Sequence, residues 1–240
     1  SITPRHSTLL FSEGEADNTP LPDVIITTGV FTKKYLELNG NYPKNILFSG
    51  CALRQKHGPN YARRKSHTKF RVLLALSSSE YELVSSVNIF MNIMRLIPEI
   101  DLGIRPHPNF PISLLPDNIL SWLDMSVNVI NFTNSSLEDN LKWCDLTAYV
   151  SSTVALECLM RGKPVVNFSA GDMLDSDPVI GNIIFHLKAK NTTKLAASIK
   201  YAMNISDEDY EYARKEAKLY IKDYLSPVSN GCIDGFVNSI

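Results

Sequence analysis

Signatures that would fix a chemistry at a glance are missing from this chain. No G-x-x-x-x-G-K-[ST] loop is present and no G-x-G-x-x-G follows a strand, so a kinase and a dinucleotide-dependent dehydrogenase are both poor fits. No G-x-S-x-G elbow exists for a serine hydrolase. Cysteine is scarce. Cys51, Cys144, Cys158 and Cys232 stand far apart, without a CxxC pair or a Cys/His ligand spacing, which argues against structural zinc and fits a reducing cytosol. No Asp/Glu/His cluster marks a bound metal. The longest apolar runs, such as residues 72–76, are strand-sized and too short to cross a bilayer. Neither sign of charge dominates: 24 Lys and Arg stand against 25 Asp and Glu, a net charge of −1, which argues against nucleic acid as the main partner. Internal repeats, low-complexity tracts and a signal peptide are absent. The chain opens on SITPRHSTLLF without a Met, which reads as a fragment boundary.

What the chain does hold is apolar residues in short, regularly spaced runs. They make up 44% of 240 residues, ample for one large domain or one domain plus a fragment. Residues 1–22 are polar and turn-rich. Residues 23–27 (DVIIT) read as a buried strand, 32–38 as a helix ended by Asn39-Gly40, and 45–49 (NILFS) as a strand ending in Gly50, together one βαβ unit. Residues 54–71 change character. Arg54, Lys56, Arg63, Arg64, Lys65, Lys69 and Arg71 make them basic and weakly apolar, which marks a domain boundary. This stretch reads either as a solvated linker or as a basic lip over an anionic substrate or a membrane surface.

From residue 70 the two periodicities alternate. Strands are expected at 71–76, 101–105, 127–131, 146–150, 165–168 and 182–185. Helices are expected at 80–96, 118–123, 137–142, 154–161, 193–203 and 207–224, with a last short one at 233–240. The alternation predicts an α/β fold, a doubly wound parallel sheet covered on both faces. The expected organisation is a segment of an N-terminal domain plus the basic linker over 1–67, a C-terminal domain over 68–225, and a final helix over 226–240.

The most informative stretch is residues 144–168. A strand runs into Ser151, Ser152 and Thr153, an apolar helix follows, Gly162 stops it, and Lys163-Pro164 leads into the next strand. Such a crossover gathers backbone N–H groups, hydroxyls and the positive end of a helix dipole at one point, which suits a phosphate. Ser and Thr are also ordinary helix caps that need no ligand. Glu157, four residues after Thr153, lies on nearly the same helix face, one turn below, where a carboxylate can reach a sugar hydroxyl.

Ligands of doubly wound sheets bind beyond the carboxyl ends of the strands. Ser77, Ser78 and Ser79 follow one strand, Arg105 and His107 another, and Ser151 to Thr153 a third, so these turns are expected on one rim. Two prolines, Pro106 and Pro108, hold His107 in an extended segment. Its imidazole can donate to a phosphate oxygen or protonate a leaving phosphate, or be merely structural. His57, His67 and His186 read as structural or solvated. His6 and the acidic residues Glu13, Glu15 and Asp17 read as a mobile polar segment or as the source of a carboxylate base.

With these residues in hand, the chain resembles the C-terminal, donor-binding half of GT-B glycosyltransferases over roughly residues 21–225. SSTVALECLMRGKPVVNF is similar to that half's Ser/Thr turn, Glu-bearing helix and G-K-P-V-V strand. RPHP is similar to the His-Pro motif of bacterial sialyltransferases and Kdo transferases, and to an Arg-x-His element of CDP-glycerol glycerophosphotransferases. Gly50 and Arg54 match the G-x-x-R that closes the first domain of surface-polysaccharide enzymes. The resemblance implies a metal-independent transferase, cytoplasmic or at the inner face of the membrane, that moves a sugar from a CMP-, CDP-, UDP- or GDP-linked donor to a bacterial surface glycan. It needs no cofactor and no nucleic acid. By the resemblance Ser151, Ser152 and Thr153 hold the donor phosphate with His107, and Glu157 binds the ribose or sugar. Ser77, Ser78, Arg105, Gly50 and Arg54 belong to the donor side, and Glu13, in Glu13-Gly14, loosely echoes the catalytic acid of the sialyltransferases. Most of the N-terminal domain that supplies the acceptor site is missing. Two other readings stay open: a nucleotide-sugar 2-epimerase, which usually has Gly-Gly in place of Ser-Ser-Thr, and a non-catalytic nucleotide- or glycan-binding module.

Overall fold

The computed structural model describes residues 11, 15, 18–52, 58, 61, 63, 69–169 and 176–231. The chain divides into two units, Asn60–Ala217 and a second made of both ends, Ser1–Pro59 with Lys218–Ile240.

The unit of the two ends holds β1 (Ile25–Thr27), α1 (Val30–Asn39) and β2 (Leu47–Ser49), the two strands parallel. Ile25, Leu36, Tyr42 and Leu47 form its small core. The expected strand at 45–49 starts late because Lys44–Ile46, after Pro43, winds into a single 3-10 turn. The helix α7 (Asp207–Tyr224) begins in the larger unit and ends in this one. Its last turn is tied down here. Tyr220 and Tyr224 lie 5.3 and 5.5 Å from the Phe31 ring. The Thr28 hydroxyl donates to the Tyr224 carbonyl at 3.0 Å. Residues from Lys218 group with the N-terminal segment.

The larger unit is one six-stranded sheet. Its strands are β3 (Phe70–Ala75), β4 (Ile100–Arg105), β5 (Val129–Asn131), β6 (Leu146–Tyr149), β7 (Val165–Phe168) and β8 (His186–Ala189). All neighbours are parallel, in the order β5-β4-β3-β6-β7-β8. Its helices are α2 (Glu80–Leu96), α3 (Asp117–Met125), α4 (Leu137–Trp143), α5 (Val154–Met160) and α6 (Thr192–Asn204), with the start of α7. The doubly wound parallel sheet expected from the alternation is what forms.

Alternation along each strand assigns the two faces. Val72, Leu74, Leu102, Ile104, Leu146, Ala148 and Val166 pack with α2 and α6 in the main core. On α2 the residues Leu83, Val87, Phe90 and Ile93 are fully buried, a gross gain of about 6–12 kcal/mol before entropy. The Ser79 cap that starts the helix adds about 1 kcal/mol, so packing, not capping, decides that this segment is helical.

The opposite face carries Leu73, Thr147, Tyr149 and Val165 beneath α4 and α5. Thr147 donates to the Cys158 sulfur at 3.2 Å, and burial pushes that thiol well above its ordinary value. Gly103 is required here. A Cβ on it would stand 2.3 Å from Phe132 and 2.8 Å from Trp143, whose rings meet edge to face at 5.1 Å. Gly162, at φ +73°, ends α5 in the left-handed conformation that glycine adopts without steric cost.

One strand is displaced from its expected place. The apolar run 182–185 points to a strand there, but β8 is His186–Ala189. The Ile184 N–H donates to the Glu216 carboxylate at 2.7 Å, and Ile184 is exposed, so the run turns before the ladder begins. The helix expected at 233–240 lies outside the described residues.

Candidate functional site

The strand order reverses between β3 and β6, and their connections leave on different faces of the sheet. Ala75 is in register with both Arg105 of β4 and Tyr149 of β6, so three adjacent strands end level. With strands about 4.8 Å apart, the turns after β4 and β6 stand about 10 Å from one another, with the β3 turn between them. This crevice at the reversal is where doubly wound sheets receive ligands.

Each turn is built by its own residues. After β3, Ser77 is buried and its hydroxyl oxygen accepts the Ser79 N–H at 3.4 Å. Ser78 is exposed, and Ser79 caps α2 by accepting from the Glu82 N–H at 3.4 Å. After β4, His107 is half-buried and its Nδ1 accepts the Asn109 N–H at 3.2 Å, so a neutral ring carries its proton on Nε2 and can donate from there. After β6, the Ser152 hydroxyl oxygen accepts the Val154 N–H at 3.4 Å. Thr153 opens α5 without a side-chain cap bond. Among the described residues neither Ser152 nor Thr153 has its backbone N–H bonded. The register thus brings Ser77, Ser78, Arg105, His107 and Ser151 to Thr153 to one rim.

Two of these residues have partners within the protein. The Ser151 hydroxyl donates to Glu82 Oε2 at 2.8 Å. Arg105 donates to Asn140 Oδ1 at 2.7 Å and to the Ser135 carbonyl at 3.2 Å, which anchors the end of β4 to α4. Burial lowers its guanidinium pKa, and the Glu157 charge opposes that.

Glu157 is not a lone buried carboxylate. Its carboxylate lies 3.9 Å from Arg161. Burial pushes its carboxyl above the ordinary range, Arg161 and Arg105 pull it back, and Glu138 adds to the rise. Arg161, buried, ion-pairs with Glu138, which also accepts from the Tyr61 hydroxyl. Arg161 bonding holds Glu138 below its usual value despite partial burial. Glu157 therefore belongs to a chain of alternating charges on the α4–α5 side of the sheet. Lys163 is also structural: its ammonium donates to the carbonyls of Leu141 at 2.7 Å and Lys142 at 3.2 Å, and to that of Cys144, closing the C-terminal end of α4.

Glu13 and Arg54 lie outside the described residues, as do His6, His57 and His67. Gly50 belongs to the smaller unit, where its N–H bonds the Thr27 carbonyl at 3.0 Å. His186 is structural, as expected. It sits in a buried cluster with Asp177 at 2.8 Å and the Tyr149 hydroxyl at 3.2 Å. Glu82 and Asp177 escape a reading of the sequence. An acid in the first turn of a helix has an ordinary cause in the helix dipole, and the sequence before Asp177 shows no helix or strand period. Among the described residues no group of three or more His, Cys, Asp or Glu is placed to hold a metal ion, and no helix is long and apolar enough to cross a membrane.

No protein-family model and no curated protein matches the chain. Solved structures do. The chain is similar to a variant of the wall teichoic acid polymerase TagF, with TM-score 0.51 and 13% identity over 90% of this chain and 56% of that one. It is similar to the glycotransferase of kitacinnamycin, with TM-score 0.57 and 12% identity over 90% of this chain and 54% of that one. It is also similar to the UDP-GlcNAc 2-epimerase of Methanocaldococcus jannaschii bound to UDP-GlcNAc and UDP, with TM-score 0.55 and 14% identity over 77% and 55%. The chain spans little more than half of each of these proteins. At such identities the likeness establishes the fold alone, a Rossmann-like doubly wound α/β architecture.

Proposed function

We propose that this chain is the nucleotide-sugar-binding part of a GT-B-type glycosyltransferase that builds a surface glycan. One observation carries the reading: three strand ends level with one another at the sheet's reversal point, one followed by two hydroxyls and two N–H groups that are unbonded among the described residues, another by an imidazole. Ser152 and Thr153 bind the donor's phosphate through their N–H groups and hydroxyls. His107, about 10 Å across the rim by strand spacing, donates to the far side of the diphosphate. As the sugar leaves, negative charge gathers on the phosphate. Donors fixed beforehand around that charge stabilise the transition state more than the ground state, a metal-independent arrangement. The wall teichoic acid polymerase among the similar structures supports a surface polymer as the product class. The raised carboxyl of Glu157 sits on the helix that Thr153 opens, where it accepts a ribose hydroxyl.

Calorimetric titration with CMP, CDP, UDP and GDP tests this. One of the four binds, and His107→Ala and Ser152→Ala each weaken that binding by about tenfold, the worth of a hydrogen bond to a charged group. Failure of all four to bind sinks the proposal. The similar 2-epimerase supports a second reading, an isomerase on the same fold. It predicts an altered sugar without any acceptor, which product chromatography distinguishes.

A further inference from the structure

Glu82 stands where a phosphate-binding crevice has no need of negative charge. It projects from the first turn of α2, after β3, and accepts the hydroxyl of Ser151, after β6, at 2.8 Å. The bond therefore spans the reversal point of the sheet. Glu82 is half-buried, and among the described residues it makes no ion pair. A carboxylate offers about four lone-pair positions. Ser151 takes one, and among the described residues no cation pairs with the rest.

Such a group sorts ligands by charge. Ser151 gives its proton to Glu82 and has none for a phosphate, so the phosphates belong at Ser152 and Thr153. The portion of the donor that reaches past them toward the α2 end of the crevice meets a carboxylate. A hydroxyl or amino hydrogen is welcomed there. A second carboxylate at about 6 Å is repelled, by about tenfold in affinity at an effective dielectric of about 40. We infer that Glu82 selects an uncharged, hydroxyl-bearing transferred group, a neutral sugar or polyol, against an acidic one. This rests on the nucleotide-sugar reading above and narrows it to a substrate class. Glu82 is thus a specificity residue that touches the transferred group, with Ser151 as its positioning partner.

Matched donors on the base identified by titration test it: UDP-glucose against UDP-glucuronate, GDP-mannose against GDP-mannuronate, or CDP-glucose against CDP-glucuronate. The wild-type chain is expected to bind the neutral member about tenfold tighter than the acidic one. Glu82→Gln should bring that ratio to within about twofold while binding of the bare nucleotide changes by less than about threefold. Circular dichroism confirms that the variant is folded. Three results overturn the inference: no discrimination by the wild type, an unchanged ratio in Glu82→Gln, or equal weakening of the bare nucleotide and both donors, which would make Glu82 only a brace for Ser151. Nucleotide binding without discrimination removes the role of Glu82 alone. Absence of any nucleotide binding removes the transferase reading, and this inference with it.

Discussion

Asp177→Ala should destabilise the larger unit by about 2–4 kcal/mol at neutral pH. The carboxylate accepts the Tyr149 hydroxyl at 2.7 Å, bonds His186 Nε2 at 2.8 Å and accepts the Val179 N–H at 2.9 Å. The His186 and Asp177 side chains are 1% and 3% exposed, so water does not replace those partners. Truncation leaves three donors facing an apolar methyl, each costing about 1–3 kcal/mol. The Tyr149 hydroxyl and His186 Nε2 already stand 3.2 Å apart and can bond one another, which recovers part of the loss. Lys188, 3.5 Å from the carboxylate but half exposed, contributes little to either state. The expected fall in Tm is about 5–15 °C for a unit of this size.

The pH dependence has a definite sign. Burial alone would raise the Asp177 carboxyl. The bond and charge of His186, with the Tyr149 hydroxyl and the Val179 N–H, outweigh it and hold the group below its ordinary value. A carboxyl lowered in the folded state stabilises in full above its unfolded value of about 3.9 and loses that contribution as pH falls through the folded value. The gap between wild type and variant is therefore flat near neutrality and closes in acid. Urea denaturation followed by tryptophan fluorescence reads it, since both tryptophans, Trp122 and Trp143, lie in this unit. A gap under about 0.5 kcal/mol at pH 7, or one that stays constant down to about pH 3, refutes the reasoning.

Two further substitutions probe the packing of α4 against the sheet. Gly103→Ala places a methyl 2.3 Å from Phe132 and should cost about 1–3 kcal/mol, with a changed near-ultraviolet circular dichroism signal from the displaced Trp143. Lys163→Met keeps the length of the side chain but leaves the carbonyls at the end of α4 without their buried donor. A loss of about 2–4 kcal/mol in urea denaturation is expected, and unchanged stability would show that water serves those carbonyls as well.

Where local pattern and tertiary packing agree, the sequence predicts the element to the residue. The helix expected at 80–96 is α2, the strand at 165–168 is β7, and the helix at 207–224 is α7. Each combines a clear period with a strong boundary signal, such as Ser79 before α2. β8 is missed because its apolar forerunner, 182–185, is turned aside by a bond to Glu216, and its own first residue is a histidine buried against Asp177. Only the tertiary structure supplies either fact. The site was legible to the same degree. Three polar turns at three strand ends are visible in the chain, and the sheet order brings them to one rim. That Ser151 belongs to Glu82 was hidden, because 69 residues separate the pair and each has a sufficient local explanation as a cap or a first-turn acid.

The G-K-P-V-V segment that helped to suggest a donor site has, in this chain, causes that need no donor. Gly162 turns the chain through the left-handed region. Lys163 closes α4, and Val165 and Val166 are fully buried sheet residues. Arg161, just before, holds Glu138 and lies beside Glu157. A doubly wound sheet would keep these residues in order to pack α4, α5 and β7 together whether or not a nucleotide bound at its rim. Resemblance in this segment therefore reports architecture. The residues that can report chemistry are polar groups at the strand ends: Ser152 and Thr153, whose N–H groups are unbonded among the described residues, the imidazole of His107, and the carboxylate of Glu82. Substitutions at these four positions should change ligand binding with little effect on unfolding, and substitutions at Arg161 or Lys163 should do the reverse. A donor contact at Lys163 would show itself as lost nucleotide affinity in a Lys163→Met variant that is still folded at the assay temperature. That result would return the segment from architecture to chemistry.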